Sequence, residues 1–433
     1  MTESPAPSFA EALRAWVRVA VSSFGGPAAQ IAVIHRVTVE EKRWIDESAF
    51  VRALSFCMLL PGPEAQQLVT YVGWRLHGLR GALGAGLLFV LPGFIAMLVL
   101  SILYVSAADL AIVAALFLGL KPAVLPVVLE AVFRLKRRAA GGALGTAIAA
   151  TAFVAIFAFG VPFPVIVAGA ALAGFLADRG ARAPRPAGPR IAGADVMRTM
   201  RTAMIWLAIW LLPVAALFIV LGAEHVFTRQ AAFFSRVAVV TFGGAYAVLA
   251  YVAQQAVDVF AWLSPGEMLD GLGLAETTPG PLIMVVQFVA FLGAFRNAGT
   301  MDPHVAGVVG SLVTVWVTFA PSFLFILVGA PWVERLTSNR KLSAALAGVT
   351  AAVVGVVLNL GVWFAIHTLF TRVEDRAIGP MTLPVPDAAT FSPVVAAIAL
   401  AASVALFRFR IGMLWVLAGG ALSGVVARVI GLT

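Results

Sequence analysis

Charge is what this sequence has least of. Lys, Arg, Asp and Glu make up 12% of its 433 residues, against about 25% in an ordinary soluble domain. So few charged side chains cannot clothe a globule of this length in a polar shell, and a water-soluble fold is excluded. Cysteine occurs once, which rules out an intramolecular disulfide and any cysteine-based metal cluster. Cys57 sits in an apolar run and reads as an inert packed thiol. The five histidines are dispersed and give no metal-ligand spacing. No P-loop pattern offers an ATP site, and no serine or cysteine triad is defensible from spacing. No metal, cofactor or enzymatic action is expected.

What is present is apolar. Hydrophobic residues make up 61% of the chain and the mean hydropathy is +0.99, so the solvent for most of the surface is lipid. The net charge of +9 need not mean nucleic acid. Basic residues gather in short connecting segments, such as Arg134, Lys136, Arg137 and Arg138, or Arg179, Arg182, Arg185 and Arg190, as in loops held on the cytoplasmic side. Glu3 and Glu11 precede the first apolar run where a cleavable leader would carry basic residues, so the N-terminus is expected to stay attached.

Apolar segments suited to crossing a bilayer lie near 14–35, 84–106, 111–130, 141–158, 161–177, 203–222, 237–255, 306–330, 342–366, 391–407 and 411–430. Two more, 50–74 and 268–295, are interrupted by Pro61-Gly62-Pro63 and Pro279-Gly280-Pro281. Proline removes an amide donor and bars the preceding residue from helical geometry, so these are broken helices or re-entrant hairpins. Irregular backbone at membrane depth survives only against protein or a wet cavity, which marks both as candidate transport sites.

The breaks belong to an internal repeat. Phe24-Gly25-Gly26 returns as Phe242-Gly243-Gly244, Trp44 as Trp262, and Pro61-Gly62-Pro63 as Pro279-Gly280-Pro281, all at an offset of 218 residues. Farther on the offset is 229, pairing Pro92 with Pro321, Gly119 with Gly348 and Leu129 with Leu358, which implies an 11-residue insertion before Pro321. The expected architecture is an all-α polytopic membrane protein. It has two homologous halves, 1–178 and 230–433, joined over 179–229 by a basic linker and one connecting helix.

If each broken segment spans once, each half crosses six times and the chain about 13 times, within a range of 10–13; the second half then enters inverted. The loop charges at 131–140 and 331–341, against the few at 367–390, favour inverted halves with the N-terminus inside. The loop after His35 argues otherwise. It carries Arg36, Lys42, Arg43 and Arg52, yet this count puts it outside. Re-entrant broken segments would instead make the halves parallel.

Polar exceptions locate the chemistry. Gly25, Gly26 and Pro27 open a compact place where amides and a helix terminus can face a ligand, with Gln30 adding an amide donor; close helix packing is the plainer account of the glycines. Pro63 can start a half-helix whose positive end receives a dianion. Glu64 in its first turn then repels that anion unless it is protonated or paired, so it carries a coupled proton or pairs with Arg75 or Lys121. Gln67 follows on the same stretch. The second half keeps Pro279, Gly280 and Pro281, with Thr278 and Gln287 nearby, but it sets Leu282 against Glu64 and Thr350 against Lys121. Lys121 contacts the ligand or a counter-ion, or snorkels to an interface. Glu130 is an interfacial carboxylate or its partner. Arg75, His77 and Arg80 suit an anion funnel, though both arginines also fit positive-inside retention.

These residues together carry a resemblance. Phe24-Gly25-Gly26-Pro27 with Gln30, Glu41-Lys42-Arg43-Trp44-Ile45, Leu60 through Gln67, Tyr71, Gly73-Trp74, Leu91-Pro92-Gly93 and Gly119-Leu120-Lys121-Pro122 resemble the chromate ion transporter family. So do Phe242-Gly243-Gly244, Trp262 and Thr278-Pro279-Gly280-Pro281 in the second half, and the likeness covers nearly the whole chain. It implies an inner-membrane exporter of chromate built from two fused, oppositely oriented duplicates, with the first half more burdened functionally. The substrate-site residues expected on this reading are Gly25, Gly26, Pro27, Gln30, Pro61, Gly62, Pro63, Glu64, Gln67, Lys121, Gly243, Gly244, Thr278, Pro279, Gly280 and Pro281. Sulfate, an equally tetrahedral oxyanion, is the alternative cargo, or the exchange partner. Protons are the candidate co-ion, lipid is the surrounding partner, and a homodimer is left open. A non-transporting membrane receptor or scaffold explains the hydrophobicity but gives no reason for duplicated breaks.

Overall fold

The computed structural model describes residues 7–107, 110–138, 142–177, 193–242, 245–333, 336 and 339–432. The chain is helical and multi-pass. In order, the helices are α1 (Phe9–Val21), α2 (Gly26–His35), α3 (Glu47–Cys57), α4 (Glu64–Ser106), α5 (Ala111–Arg138), α6 (Ala143–Phe159), α7 (Phe163–Ala177), α8 (Gly193–Leu221), α9 (Val226–Val240), α10 (Ala245–Gln254), α11 (Pro265–Thr277), α12 (Val285–Arg296) and α13 (Pro303–Gly329). Three helices follow, Arg340–Leu369, Pro393–Phe407 and Met413–Val429. Among the described residues, five helices are long and apolar enough to cross a membrane by length and composition. The basic linker falls largely at 178–192, outside the described residues.

The loop expected at 367–390 contains the one departure from all-α structure among the described residues. Strands β1 (Val373–Ile378) and β2 (Met381–Pro386) pair antiparallel, Val373 opposite Pro386. They are joined through Gly379 at φ +60°, a two-residue turn of the kind that needs a left-handed residue.

Two compact units emerge, and they do not follow the sequence halves. The first takes Met1–Val99, Asp178–Ala245 and Thr278–Ala344; the second takes Leu100–Ala177, Tyr246–Thr277 and Ala345–Thr433. Each unit therefore draws on both halves of the repeat.

In the first unit, segments 14–35 and 50–74 reverse direction, so neither is the single crossing counted above. Lys42 Nζ lies 2.9 Å from Glu11 Oε1, and the Trp16 and Trp44 rings are 5.6 Å apart. A straight helix would put residues 11 and 42 about 45 Å apart. α1 and α2 are thus a hairpin with Gly25 and Gly26 at its tip. α3 and the start of α4 repeat the arrangement about Pro61-Gly62-Pro63, with the rings of Phe56 and Tyr71 5.7 Å apart. α1 has 13 residues and α3 has 11, or about 20 and 16 Å, well short of a 30 Å hydrocarbon core.

α4 itself turns back at His77 and Gly78, whose backbone is non-helical. A Cβ on Gly73 would stand 2.4 Å from the Gly81 carbonyl oxygen, so only glycine admits this approach. The mouths of both hairpins meet at this end. His77 Nε2 lies 2.8 Å from the Pro7 carbonyl and its ring packs edge-on to Phe9. Asp46 caps α3, accepting from the Ala49 amide at 2.7 Å and the Ser48 hydroxyl at 2.6 Å. The Ser48 bond, then the Ala49 bond and the charges of Arg52 and Arg75, hold its carboxyl below the usual range. Charge at the mouths and glycine at the tips is the polarity a re-entrant hairpin needs, since its mouth meets water and its tip meets protein.

The second unit is joined by small residues. A Cβ on Gly119 would stand 1.9 Å from the Gly420 carbonyl oxygen, and one on Gly348 2.2 Å from that of Ala170 and 3.1 Å from Gly174. Gly119 and Gly348 are repeat mates, and Ala170 and Gly174 return as Gly420 and Gly424 at an offset of 250 residues. Each half therefore packs its glycine on the other half's last helix, as membrane helices do where there is no hydrophobic drive between them.

Candidate functional site

The tips of the first unit are locked by a reciprocal pair of backbone bonds. The Gly62 amide donates to the Thr241 carbonyl at 2.8 Å, and the Gly280 amide donates to the Ser23 carbonyl at 2.9 Å. Gly62 and Gly280 are repeat mates, and so are Ser23 and Thr241. Each of those two hydroxyls returns to the carbonyl four residues back, Val19 or Val237. Every Pro-Gly-Pro break is thus held by the opposite half's glycine tip.

Backbone conformation explains the glycines. Gly25, Gly26, Gly62 and Gly280 have φ of +85°, +75°, +124° and +94°, where an L side chain is strained. A Cβ on Gly26 would meet nothing within 4 Å. Close helix packing therefore does not account for that residue. Gly280 does both jobs, with Gly93 Cα 3.2 Å from its would-be Cβ.

Around the lock lies a small pocket lined by Pro27 and Gln30, by Pro63, Glu64 and Ala65, by Ala245, and by Pro281, Leu282 and Ile283. Pro27 is in the first turn of α2, Glu64 opens α4, Ala245 opens α10, and Leu282 begins the short 3-10 turn that runs into α12. Four helix N-termini, two from each half, therefore border one space. A helix start leaves its first amides without intrahelical partners and carries a partial positive charge. That polarity suits an anion, in a space that has about the size of a single water.

Side chains decorate this frame unequally. Gln30 is buried and its Nε2 donates to the Gly280 carbonyl at 2.7 Å. Gln67 Nε2 donates to the Pro61 carbonyl at 2.7 Å. Their repeat mates, Val248 and Val285, can do neither. Glu64 is buried at 7% exposure in the first turn of α4. Thr278 is buried beside Pro279. The structure thus brings together Pro27, Gln30, Pro63, Glu64 and Pro281 around the pocket, with Gly62 and Gly280 in the lock. Gly243 and Gly244 lie outside the described residues.

Other expected site residues have protein partners or belong to other segments. Lys121 belongs to the second unit, where Nζ pairs with Asp270 Oδ2 at 3.3 Å; the same oxygen accepts from the Tyr104 hydroxyl at 2.8 Å. Lys121 is therefore counter-ion to a protein carboxylate. Glu130 pairs with Arg134 at 3.0 Å, one turn along its own helix. Arg75 and Arg80 are exposed near the hairpin mouths, and His77 is held by Pro7.

Two functional candidates escaped the sequence reading. Asp270 and Glu276 lie on α11 with 2% and 1% exposure, and Glu276 accepts from the Tyr246 hydroxyl. Their signal was present, since two carboxylates within an apolar segment are costly. A larger pocket in the second unit is lined by Asp258, His367, Asp375 and Trp363 among others. Burial, then the charge of Asp375, pushes the Asp258 carboxyl up. It has none of the repeated glycine motifs.

Helix breaks that are duplicated and interlocked, in a chain with long apolar helices, fit a polytopic membrane transporter. The sequence says which. The chromate transporter family matches residues 10–175 and 228–425, and the chain belongs to that family, one of transporters rather than enzymes. It is 31% identical over 367 residues to a chromate transport protein of Pseudomonas aeruginosa, covering 82% of this chain and 80% of that one. A chromate transport protein of Cupriavidus metallidurans is 27% identical over 342 residues, 79% of each chain. An uncharacterized transporter of Methanocaldococcus jannaschii is 26% identical over 364 residues, 83% of this chain and 85% of the relative. No solved structure matches the chain significantly.

Proposed function

We propose that this chain is a secondary transporter that exports chromate across the bacterial inner membrane, seating the dianion among the four helix N-termini at the interlocked tips. The observation that supports this reading is their convergence, two from each repeat, on one pocket in the first unit. Backbone amides and helix ends replace the water the anion leaves behind without bringing a full countercharge. Moving two negative charges out of a negative interior releases about 4.6 kcal/mol per 100 mV, so efflux needs no ATP. Glu64 shares the pocket with the cargo. Its carboxylate and the dianion compete for the same positive ends, which makes Glu64 the candidate proton site. Sulfate fits the same frame and is the competing cargo. The site lies within one chain and needs no second copy.

The two sequence halves, 1–178 and 230–433, are read as inverted duplicates. If both hairpins of the first half are re-entrant, that half loses two crossings and keeps four, an even number, and the crossing at α8 still inverts the second half. Arg36, Lys42, Arg43 and Arg52 then lie inside with Arg134 and Arg137, which removes the conflict in the loop charges.

The test is outward chromate flux from proteoliposomes with and without an imposed potential. Flux that rises with an inside-negative potential is expected, and flux no greater than that of empty vesicles would overturn the reading. Sulfate competition in the same vesicles reports which oxyanion is preferred.

A further inference from the structure

α13 carries four hydroxyls in one stripe, Ser311, Thr314, Thr318 and Ser322, spaced 3, 4 and 4 residues apart as one helix face requires. Their exposures are 0%, 0%, 2% and 1%, and none of the four hydroxyls has a hydrogen-bond partner. This departs from the habit of the chain. Ser23, Thr38, Thr70, Thr241 and Thr350 each return their hydroxyl to the carbonyl four residues back. A buried hydroxyl without a partner costs about 1–3 kcal/mol, and four in succession on one buried face are expensive unless a ligand satisfies them.

The stripe has a definite course. At one end Ser322 Oγ and Gln67 Nε2 each lie 2.7 Å from the place a Cβ would occupy on Gly62, which puts Ser322 at the interlocked tips. At the other end Gln230 Oε1, buried and without a partner, lies 2.8 Å from the would-be Cβ of Gly310, next to Ser311. Between them, Pro321 withdraws the amide that would serve the Val317 carbonyl. Residues 311 to 322 rise about 16 Å, half of a 30 Å hydrocarbon core.

The repeat supplies a control. At the offset of 229, the four positions correspond to Ala82, Ala85, Phe89 and Gly93, none with a polar side chain. The duplicated fold therefore does not demand hydroxyls here, and only the second half carries them.

We propose that this face of α13 is a hydrated track, with Ser311, Thr314, Thr318 and Ser322 donating to water and to the oxygens of a passing oxyanion on its way to or from the tips. The identity of the cargo rests on the transport reading above; the presence of the aqueous track does not.

The single cysteine makes the test direct. In a Cys57→Ser background, Ser311→Cys, Thr314→Cys, Thr318→Cys and Ser322→Cys are compared with Leu312→Cys and Trp316→Cys, which occupy the same depth but are 51% and 44% exposed on other faces of the helix. The probe is a membrane-impermeant charged methanethiosulfonate applied to membrane vesicles without chromate. It needs thiolate, hence water, and the stripe should label about tenfold faster than the two controls. Chromate should then slow labelling at Ser322→Cys. Stripe labelling no faster than at the controls would overturn the track, and labelling untouched by chromate in vesicles that transport it would overturn the anion's route. Should proteoliposomes move no chromate while the stripe still labels fast, the cargo assignment fails and the track stands. The isosteric Thr314→Val, Thr318→Val pair gives a second readout. Lower transport at undiminished thermal stability is expected, and unchanged transport would count against the proposal.

Discussion

Replacing Gly62 by alanine tests the tip lock most sharply, because two separate penalties meet there. With φ at +124°, a side chain is held in a sparsely populated backbone region at a cost of about 1–3 kcal/mol. The new Cβ would also stand 2.7 Å from Gln67 Nε2 and from Ser322 Oγ. Gln67 must then move, and its 2.7 Å bond to the Pro61 carbonyl is lost. That leaves a buried amide and carbonyl short of a partner, about 1–3 kcal/mol more. The sum, roughly 2–6 kcal/mol, falls on the break that opens α4. Gly26→Ala isolates the first penalty, since φ is +75° and nothing lies within 4 Å of its Cβ. Gly160→Ala, at φ +58° and equally open, repeats that penalty at the α6–α7 turn of the second unit. Thermal unfolding in detergent and initial chromate efflux per folded molecule separate the three. Gly62→Ala should lose more than tenfold in efflux, Gly26→Ala less, and Gly160→Ala should lose stability alone. Wild-type efflux from Gly62→Ala, or an equal loss from Gly160→Ala, would refute the reasoning.

The Lys121–Asp270 pair is a second target. Lys121→Met leaves Asp270 buried without its cation, a destabilisation towards the lower end of about 3–5 kcal/mol because the lysine side chain is 30% exposed. The double variant with Asp270→Asn should recover most of the melting temperature, and no recovery would mean the pair is not what holds α5 to α11. Glu64→Gln should keep efflux while altering its pH dependence. A profile that still follows wild type would remove Glu64 as the proton site.

The sequence made the breaks legible and hid their direction. Glycine at positive φ and proline at a helix start are local demands, so Gly25, Gly62 and Gly280 could be located from their motifs before any packing was known. Whether chain after a break continues onward or turns back depends on what it packs against, and composition is blind to that. Length was the available clue. The helices on either side of the first two breaks are too short to span alone, yet the apolar runs 14–35 and 50–74 looked continuous because each break occupies only a few residues. The compact units were beyond reach for a similar reason, since contacts such as Gly119 on Gly420 join residues three hundred positions apart. Asp270 was overlooked because comparing the repeats drew attention to motifs shared between halves, and its mate is Arg52.

The same comparison clarifies what the two-fold relation is for. The crossed amide bonds and the four helix ends obey it, because they are made by backbone. Gln30, Glu64 and Gln67 break it on one side, while Ser311, Thr314, Thr318 and Ser322 break it on the other. If the anion were held by side-chain donors, Val248 and Val285 opposite Gln30 and Gln67 would leave the second half without a share in the site. With charge supplied by amides and helix ends, those side chains were free to diverge while Pro-Gly-Pro was kept. The first half then adds polar contacts at the tips, and the second adds hydroxyls along the proposed track. On the proposed reading a symmetric frame holds the anion, and the asymmetric side chains are what distinguish entry from exit.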